Sequence, residues 1–212
     1  MIDVIIIGGG KFAGNIVDEF SSQINPVGYI DSINNQFLRE KYNIRFLGND
    51  IRKVSGKKKF CNNLVLCIGS EGNVHPRTNC FIQLKRLRYY FPLLIHENSM
   101  VSRKTSVGEG SIVQSHCVIQ ANVKIGKASI ISSNTFIGHD SILGDYIFVG
   151  PGVNIGGSVV IKEKTHVSIG AVVLQKINIG KNCLIGASSC VICDVPDNSK
   201  VLGVPGKILA YI

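Results

Sequence analysis

Residues 137–161, IGHDSILGDYIFVGPGVNIGGSVVI, carry an aliphatic side chain at every sixth position: Ile137, Leu143, Val149, Ile155 and Ile161. The register extends in both directions. Counted in sixes from Val101 it meets Val107, Val113, Ile119, Ile125 and Ile131 before this stretch, and Val167, Val173, Ile179, Ile185 and Val191 after it, without insertion. A period of six fits neither an amphipathic helix nor an alternating strand; it is the signature of a parallel β-helix. Each aliphatic residue then stacks on its equivalent one coil away, and small residues or glycine serve where the backbone turns sharply. Glycine follows the aliphatic residue at 108, 126, 138, 144, 150, 156, 180 and 186, and the residue four places after it is mostly small or β-branched, as at Thr105, Ser129, Thr135 and Ala171. With three hexads per coil and strands about 4.8 Å apart, the repeat predicts about five left-handed coils in a column roughly 25 Å tall. Its flat faces need something to pack on, and a homotrimer is the expected state. Pro196 breaks the repeat, so residues 195–212 are read as a closing strand or cap.

The first hundred residues follow another rule. Residues 2–7 read as a buried strand, Gly8-Gly9-Gly10 as a turn, Lys11 to about Phe20 as a helix, residues 27–31 as a second strand and residues 64–69 as a third. A helix from Pro76 to Tyr90 and a last strand at 91–95 complete the series. Alternation of this kind predicts a small Rossmann-like α/β domain with a parallel sheet. The domains are therefore read as residues 1–98, Rossmann-like, and 99–212, β-helical.

Composition narrows the class. The chain has 212 residues, 45% of them apolar and 17% charged, ample for a buried core. Its apolar runs fall far short of the roughly 20 residues of a membrane span. Asp3 stands where a secretory leader would be basic, so a cytoplasmic protein is expected. Seven cysteines, at 61, 67, 80, 117, 183, 190 and 193, match neither a disulfide framework nor paired zinc knuckles, and read as reduced, mostly buried thiols. The net charge of +9 suits an anionic ligand, but the runs at Lys57-Lys58-Lys59 and Lys85-Arg86-Leu87-Arg88 read as solvated faces. No nucleic-acid-binding signature accompanies them, and no nucleic-acid partner is expected.

Two constellations bear chemistry. The glycine run between a strand and a helix is the setting for a phosphate at a helix N-terminus, with Asp31 after the next strand where an acid meets a ribose or base. A structural tight turn is the competing reading, because the full GxGxxG is absent. Among five histidines, His116, His139 and His166 lie in the repeat but at different places within their hexads, which argues against zinc, and no metal is expected. His139 is followed by Asp140, so an imidazole able to take a proton near neutral pH has a carboxylate at hand to orient it. A surface His-Asp pair on a turn is the bland alternative.

The stretch NTFIGHDSILGDYIFVGPGVNIGGSVVI, the tail DVPDNSKVLGVPGKIL and the amino-terminal VIIIGGGKFAGNIV, with LCIGS at 66–70 and FPLLIHENSMVS at the junction, resemble a family over essentially the whole chain. That family is the bacterial hexapeptide-repeat acetyltransferases of nucleotide-linked amino sugars, the sialic-acid O-acetyltransferase-like group. The resemblance implies an acetyl-CoA-dependent N-acetyltransferase without a metal, working as a homotrimer on a nucleotide-linked 4-amino sugar for surface glycans. It implies His139 as general base with Asp140 beside it; a nucleotide-sugar site at Gly8, Gly10, Lys11, Asp31 and Gly69; and acetyl-CoA contacts at Gly157, Ile169 and Ala187 between subunits. The chain departs from the family pattern at Lys11-Phe12, where a Gly-His pair is usual, at Phe148, where some relatives have a second histidine, and at Ser132, where Asn is frequent. Sugar O-acetylation and a non-catalytic nucleotide-sensing scaffold remain as alternatives.

Overall fold

A computed structural model of the protein describes residues 1–33, 35–50, 61–69 and 73–211. The lysine run at 57–59 and Ser70 of the LCIGS stretch lie outside the described residues. The chain begins with β1 (Ile2–Ile7), α1 (Lys11–Glu19), β2 (Ile24–Ile30), α2 (Phe37–Tyr42), β3 (Phe46–Gly48), β4 (Leu64–Leu66) and α3 (His75–Arg86). The four strands form a parallel sheet in the order β3-β2-β1-β4. Val4, Ile5, Ile6 and Ile7 are buried on both faces, which is why β1 reads as an unbroken aliphatic run. Neither α2 nor β3 was anticipated; each is short and carries no long period. The last helix ends earlier than its pattern suggested, because Arg88 takes a left-handed φ of 60° and Tyr90 bridges to Asn63 beside the sheet.

From Leu94 onward the chain winds as a three-sided left-handed β-helix. Up to the last coil, each two-residue strand pairs in parallel with the strand eighteen residues later, as in Lys124 with Ile142 and Ile125 with Leu143, so three hexads make one coil. The first face is built from Ser106–Val107 and its successors to Asn178–Ile179, the second from Leu94–Ile95 through Leu184–Ile185, and the third from Met100–Val101 through Cys190–Val191. Residues 91–95, expected to close the first sheet, instead start the column: Leu94–Ile95 pairs with Ile112–Val113. The cap is a strand, Ser199–Leu202, paired with Leu184–Ile185 and turned back through Lys207–Tyr211.

The glycines do not play the role their position first suggests. The left-handed turn lies at the fourth residue of each hexad from Gly110 through Ser188, with φ between 47° and 70°, and most of those residues are not glycine. Glycine at the second place answers a different demand: a Cβ on Gly126 or Gly138 would stand 2.5 Å from a backbone nitrogen of the next coil. The small residue four places after the aliphatic one works as a staple where it bears a hydroxyl. Ser141 Oγ donates to the Gly156 carbonyl at 3.0 Å and accepts the Val159 N–H at 3.2 Å, and Thr165 links Gly180 to Cys183 in the same way. The hydroxyls of Ser141 and Thr165 are thereby satisfied by the coil that follows. Five of the cysteines, Cys61, Cys67, Cys80, Cys117 and Cys183, are buried thiols; burial pushes Cys80 up to about 12.

The amino-terminal unit sits on the second face. Leu94 and Ile112 belong to the same buried cluster as Val4, Ile6 and Phe20, and Tyr146 and Ala128 join the cluster beneath α3. Arg77, 1% exposed, donates from Nη2 to the carbonyls of Tyr146 and Ile147, and Glu19 accepts from Gln114 Nε2 at 2.8 Å.

Candidate active site

The first candidate site follows from the sheet. A parallel sheet leaves a crevice beyond the carboxyl ends of its strands, and here a cavity of about 810 Å³ opens where β1, β2 and β4 end. Gly8, Gly10, Asp31 and Gly69 all line it; Lys11, at the exposed head of α1, is not among its described lining residues. Gly8 has φ 101°, and a Cβ there would stand 2.8 Å from the Cys67 carbonyl oxygen, so glycine is obligatory at this crossing of strands. Asp31 is already employed: Oδ2 accepts the Gly9 N–H at 2.6 Å and Oδ1 accepts the Ile33 N–H at 3.2 Å. The acid ties the glycine turn to the end of β2, and part of its value is structural.

The second candidate site is built on the edge between the third and first faces. His139 and Asp140 follow the strand Phe136–Ile137 and form its corner, Asp140 taking the left-handed φ of 59°. His139 Nδ1 stands 2.8 Å from Asp140 Oδ2. A carboxylate is a pure acceptor, so the neutral ring carries its proton on Nδ1 and keeps a free lone pair on Nε2. Two donors hold the Asp140 carboxyl below the ordinary carboxylate range, first the His139 ring and then the Asn122 amide at 2.9 Å. The pair remains open to solvent, with side chains 62% and 50% exposed.

Directly along the column lies Gly157, eighteen residues on. A Cβ there would meet His139 Nε2 at 2.8 Å and Cε1 at 3.0 Å, so the ring packs into space that only glycine leaves. The Gly157 N–H has no hydrogen-bond acceptor among the described residues. His139 also borders a groove of about 490 Å³ with Met100, Ser102, Val118, Ile119, Gln120 and Ala121. What the arrangement offers is a base with a fixed tautomer, a backbone donor beside it and a largely apolar trough.

The remaining expected contacts fall elsewhere. Ile169, 57% exposed, and Ala187 follow the strands His166–Val167 and Leu184–Ile185 and lie on the edge after the second face, so within one chain they do not meet His139. Phe148 is on the covered second face, stacked on His166 with ring centroids 4.6 Å apart and near Arg77. Burial, and then the Arg77 charge, push the His166 imidazole down to about 4. Two residues that touch the dyad were not singled out from sequence: Asn122, and Gln120, whose Oε1 accepts the His139 N–H at 3.0 Å. Three hexads per coil place Asn122 one turn before Asp140, but the amide's contact with the carboxylate is visible only in the folded chain, and Gln120 stands nineteen residues before His139, one place off that register.

Comparison with protein-family models and with curated proteins gives no match. Solved structures do match along the whole chain. PerB from Caulobacter crescentus, in complex with CoA and GDP-perosamine, superposes with a TM-score of 0.87 at 24% identity, covering 98% of this chain and 97% of that one. The acetyltransferase domain of PglB from Neisseria gonorrhoeae FA1090, in complex with acetyl coenzyme A, gives 0.84 at 22% identity over 98% of both chains. WeeI from Acinetobacter baumannii AYE gives 0.82 at 20% identity, covering 99% of this chain and 100% of that one. The two-part fold, a parallel α/β unit on a hexapeptide-repeat β-helix, is therefore a shared one.

Proposed function

We propose that the protein transfers an acetyl group from acetyl-CoA to the amino group of a nucleotide-linked amino sugar, with residues 1–98 receiving the nucleotide and residues 99–212 the acetyl donor. One observation carries this reading: an imidazole whose Nδ1 is engaged by Asp140 and whose Nε2 lies over Gly157, at the rim of an apolar groove. Support comes from the shared fold, since two of the matching proteins are complexes with CoA and GDP-perosamine or with acetyl coenzyme A.

The geometry supports the following chemistry. The sugar amine attacks the thioester carbonyl, and His139 Nε2 takes the proton that the nitrogen must lose as the C–N bond forms. The carbonyl oxygen, negative in the tetrahedral intermediate, receives the Gly157 N–H. When the C–S bond breaks, the proton passes from the imidazolium to sulfur, and CoA leaves as the thiol. Asp140 keeps the ring in the useful tautomer and stabilises its charged form. The amino-terminal unit covers the second face, whereas His139 lies on the opposite edge, so the reading brings the sugar pocket, Ile169 and Ala187 to His139 from neighbouring copies in a homotrimer. A cytoplasmic location, where acetyl-CoA is available, belongs to the same proposal.

A panel of UDP-, dTDP- and GDP-linked amino sugars, assayed with acetyl-CoA by thiol release, tests the reading. Acetylation of one of them, reduced about 10²–10⁴-fold in His139→Ala, is the expected result. Acetylation only of hydroxyl sugars would replace the acceptor, and near-normal turnover by His139→Ala would remove the base.

A further inference from the structure

The dyad is gripped from the preceding coil. Asp140 Oδ2 faces His139 Nδ1 at 2.8 Å, while its other oxygen, Oδ1, accepts from Asn122 Nδ2 at 2.9 Å, so each carboxylate oxygen has one fixed donor. Asn122 precedes Asp140 by one coil, and the two share the same corner conformation, φ 62° and 59°, which stacks amide on carboxylate. Gln120 secures the neighbouring backbone by accepting the His139 N–H at 3.0 Å. Packing does not immobilise the pair, because both side chains are at least half exposed. A carboxylate held by only one oxygen would turn about its last torsion and release the imidazole to water.

We infer that Asn122, assisted by Gln120, is a positioning residue that fixes the orientation of the Asp140 carboxylate and thereby keeps His139 Nε2 over Gly157. The inference rests on the reading of His139 as the base. Asparagine also suits a left-handed turn for backbone reasons alone, but the equivalent corners hold Ala128, Tyr146, Lys164 and Ser188 with similar φ, so the turn does not demand an amide. Other charges near the edge are Arg103 and Lys104 two coils earlier, Lys176 two coils later and Lys124 on the adjoining face. Among the described residues none of them forms an ion pair with the dyad.

The test uses Asn122→Gly, which removes the amide but leaves the left-handed backbone unstrained, and Asn122→Asp, which replaces the donor with a charged acceptor. Nitrogen-15 NMR of labelled histidine, with His139→Asn to assign the signal, reads the tautomer and titration of His139 without reference to turnover. Asn122→Gly should lower the fraction carrying the proton on Nδ1. Asn122→Asp, by adding a negative charge, should move the imidazole titration to higher pH. With the substrate identified, kcat should fall about threefold to tenfold in Asn122→Gly, the worth of one hydrogen bond, with KM for acetyl-CoA unchanged. The acid limb of kcat/KM should move up in Asn122→Asp. Identical tautomer and titration in all three proteins would overturn the inference, whichever variant folds better. Altered NMR behaviour with unaltered kcat would uphold the positioning role and instead remove His139 from the reaction.

Discussion

Replacing Gly157 by alanine separates catalysis from stability while leaving both side chains of the dyad in place. The added Cβ would lie 2.8 Å from His139 Nε2, 3.0 Å from Cε1 and 3.2 Å from Cδ2. Ordinary carbon contacts begin near 3.5 Å, so the ring must retreat by roughly 0.5–1 Å or swing off its 2.8 Å partner on Asp140. It can do so at little cost to folding, because it is 62% exposed and Gly157 does not occupy the left-handed region. For a reacting group, however, a displacement of about 1 Å costs on the order of 10²-fold in rate. Gly157→Ala should therefore lower kcat about 10²-fold while Tm falls by no more than about 2 °C. Its neighbour supplies the contrast: a Cβ on Gly156 would meet the Gln175 backbone nitrogen at 2.6 Å, and backbone cannot step aside. Gly156→Ala should cost about 1–3 kcal/mol of stability, the usual range for overpacking. Thiol release under saturating substrates gives kcat, and thermal unfolding gives Tm. If Gly157→Ala turns over within threefold of the parent, the ring is not poised at that place during the reaction, and the argument for Gly157 as its neighbour in catalysis fails.

Two further outcomes follow from charge. Asp140→Asn removes the negative charge that supports the imidazolium, so kcat should fall about 10²-fold or more. The acid limb of kcat/KM should also move to lower pH in that variant; the Asp140 carboxyl, held below its ordinary range by His139 and then Asn122, stays ionised and does not itself shape the limb. His166, 6% exposed, has its imidazole pushed down to about 4 by burial and then by Arg77. The unfolded chain therefore binds more protons than the folded one between about pH 6.5 and 4. Stability is full above that window and declines as pH falls through it, by up to about 3 kcal/mol. His166→Gln should flatten the fall in Tm between pH 7 and 4.5; an unchanged slope would show that another group is responsible.

Much of this architecture could be read from the chain because each feature had a repeated physical cause. The interior column from Val101 to Val191 announces itself because every coil must refill the same buried place. The glycines were visible for the same reason, although their cause was not: they clear a path for the next coil's backbone, whereas residues as large as Tyr146 and Lys164 make the left-handed turns. His139 and Asp140 stood out as chemically distinctive within a regular pattern. Asn122 and Gln120 did not, since their role depends on contacts eighteen and nineteen residues away in sequence. Leu94–Ile95 joins the column and not the first sheet, and two residues carry too little pattern to reveal which sheet they join. Asp31 was legible as an acid after a strand, but its grip on the Gly9 N–H is a tertiary contact no local pattern contains.

The way the two parts join constrains the reaction more than either part alone. Arg77 donates to main-chain carbonyls of the β-helix from a fully buried position, and Glu19 reaches Gln114 from the end of α1. These contacts hold the amino-terminal unit on the second face and carry its cavity with it. The His139 edge joins the other two faces, and the cavity and the groove beside the imidazole share no lining residue. The third face, meanwhile, leaves Met100 72% and Val118 36% exposed beside His139, an apolar surface of the kind that marks a binding interface. Covering that surface with a second copy would bury it and bring another chain's residues to the imidazole in one step. On the proposed chemistry, a homotrimer that shares this edge between copies is the arrangement that would let the imidazole meet a sugar held by another chain.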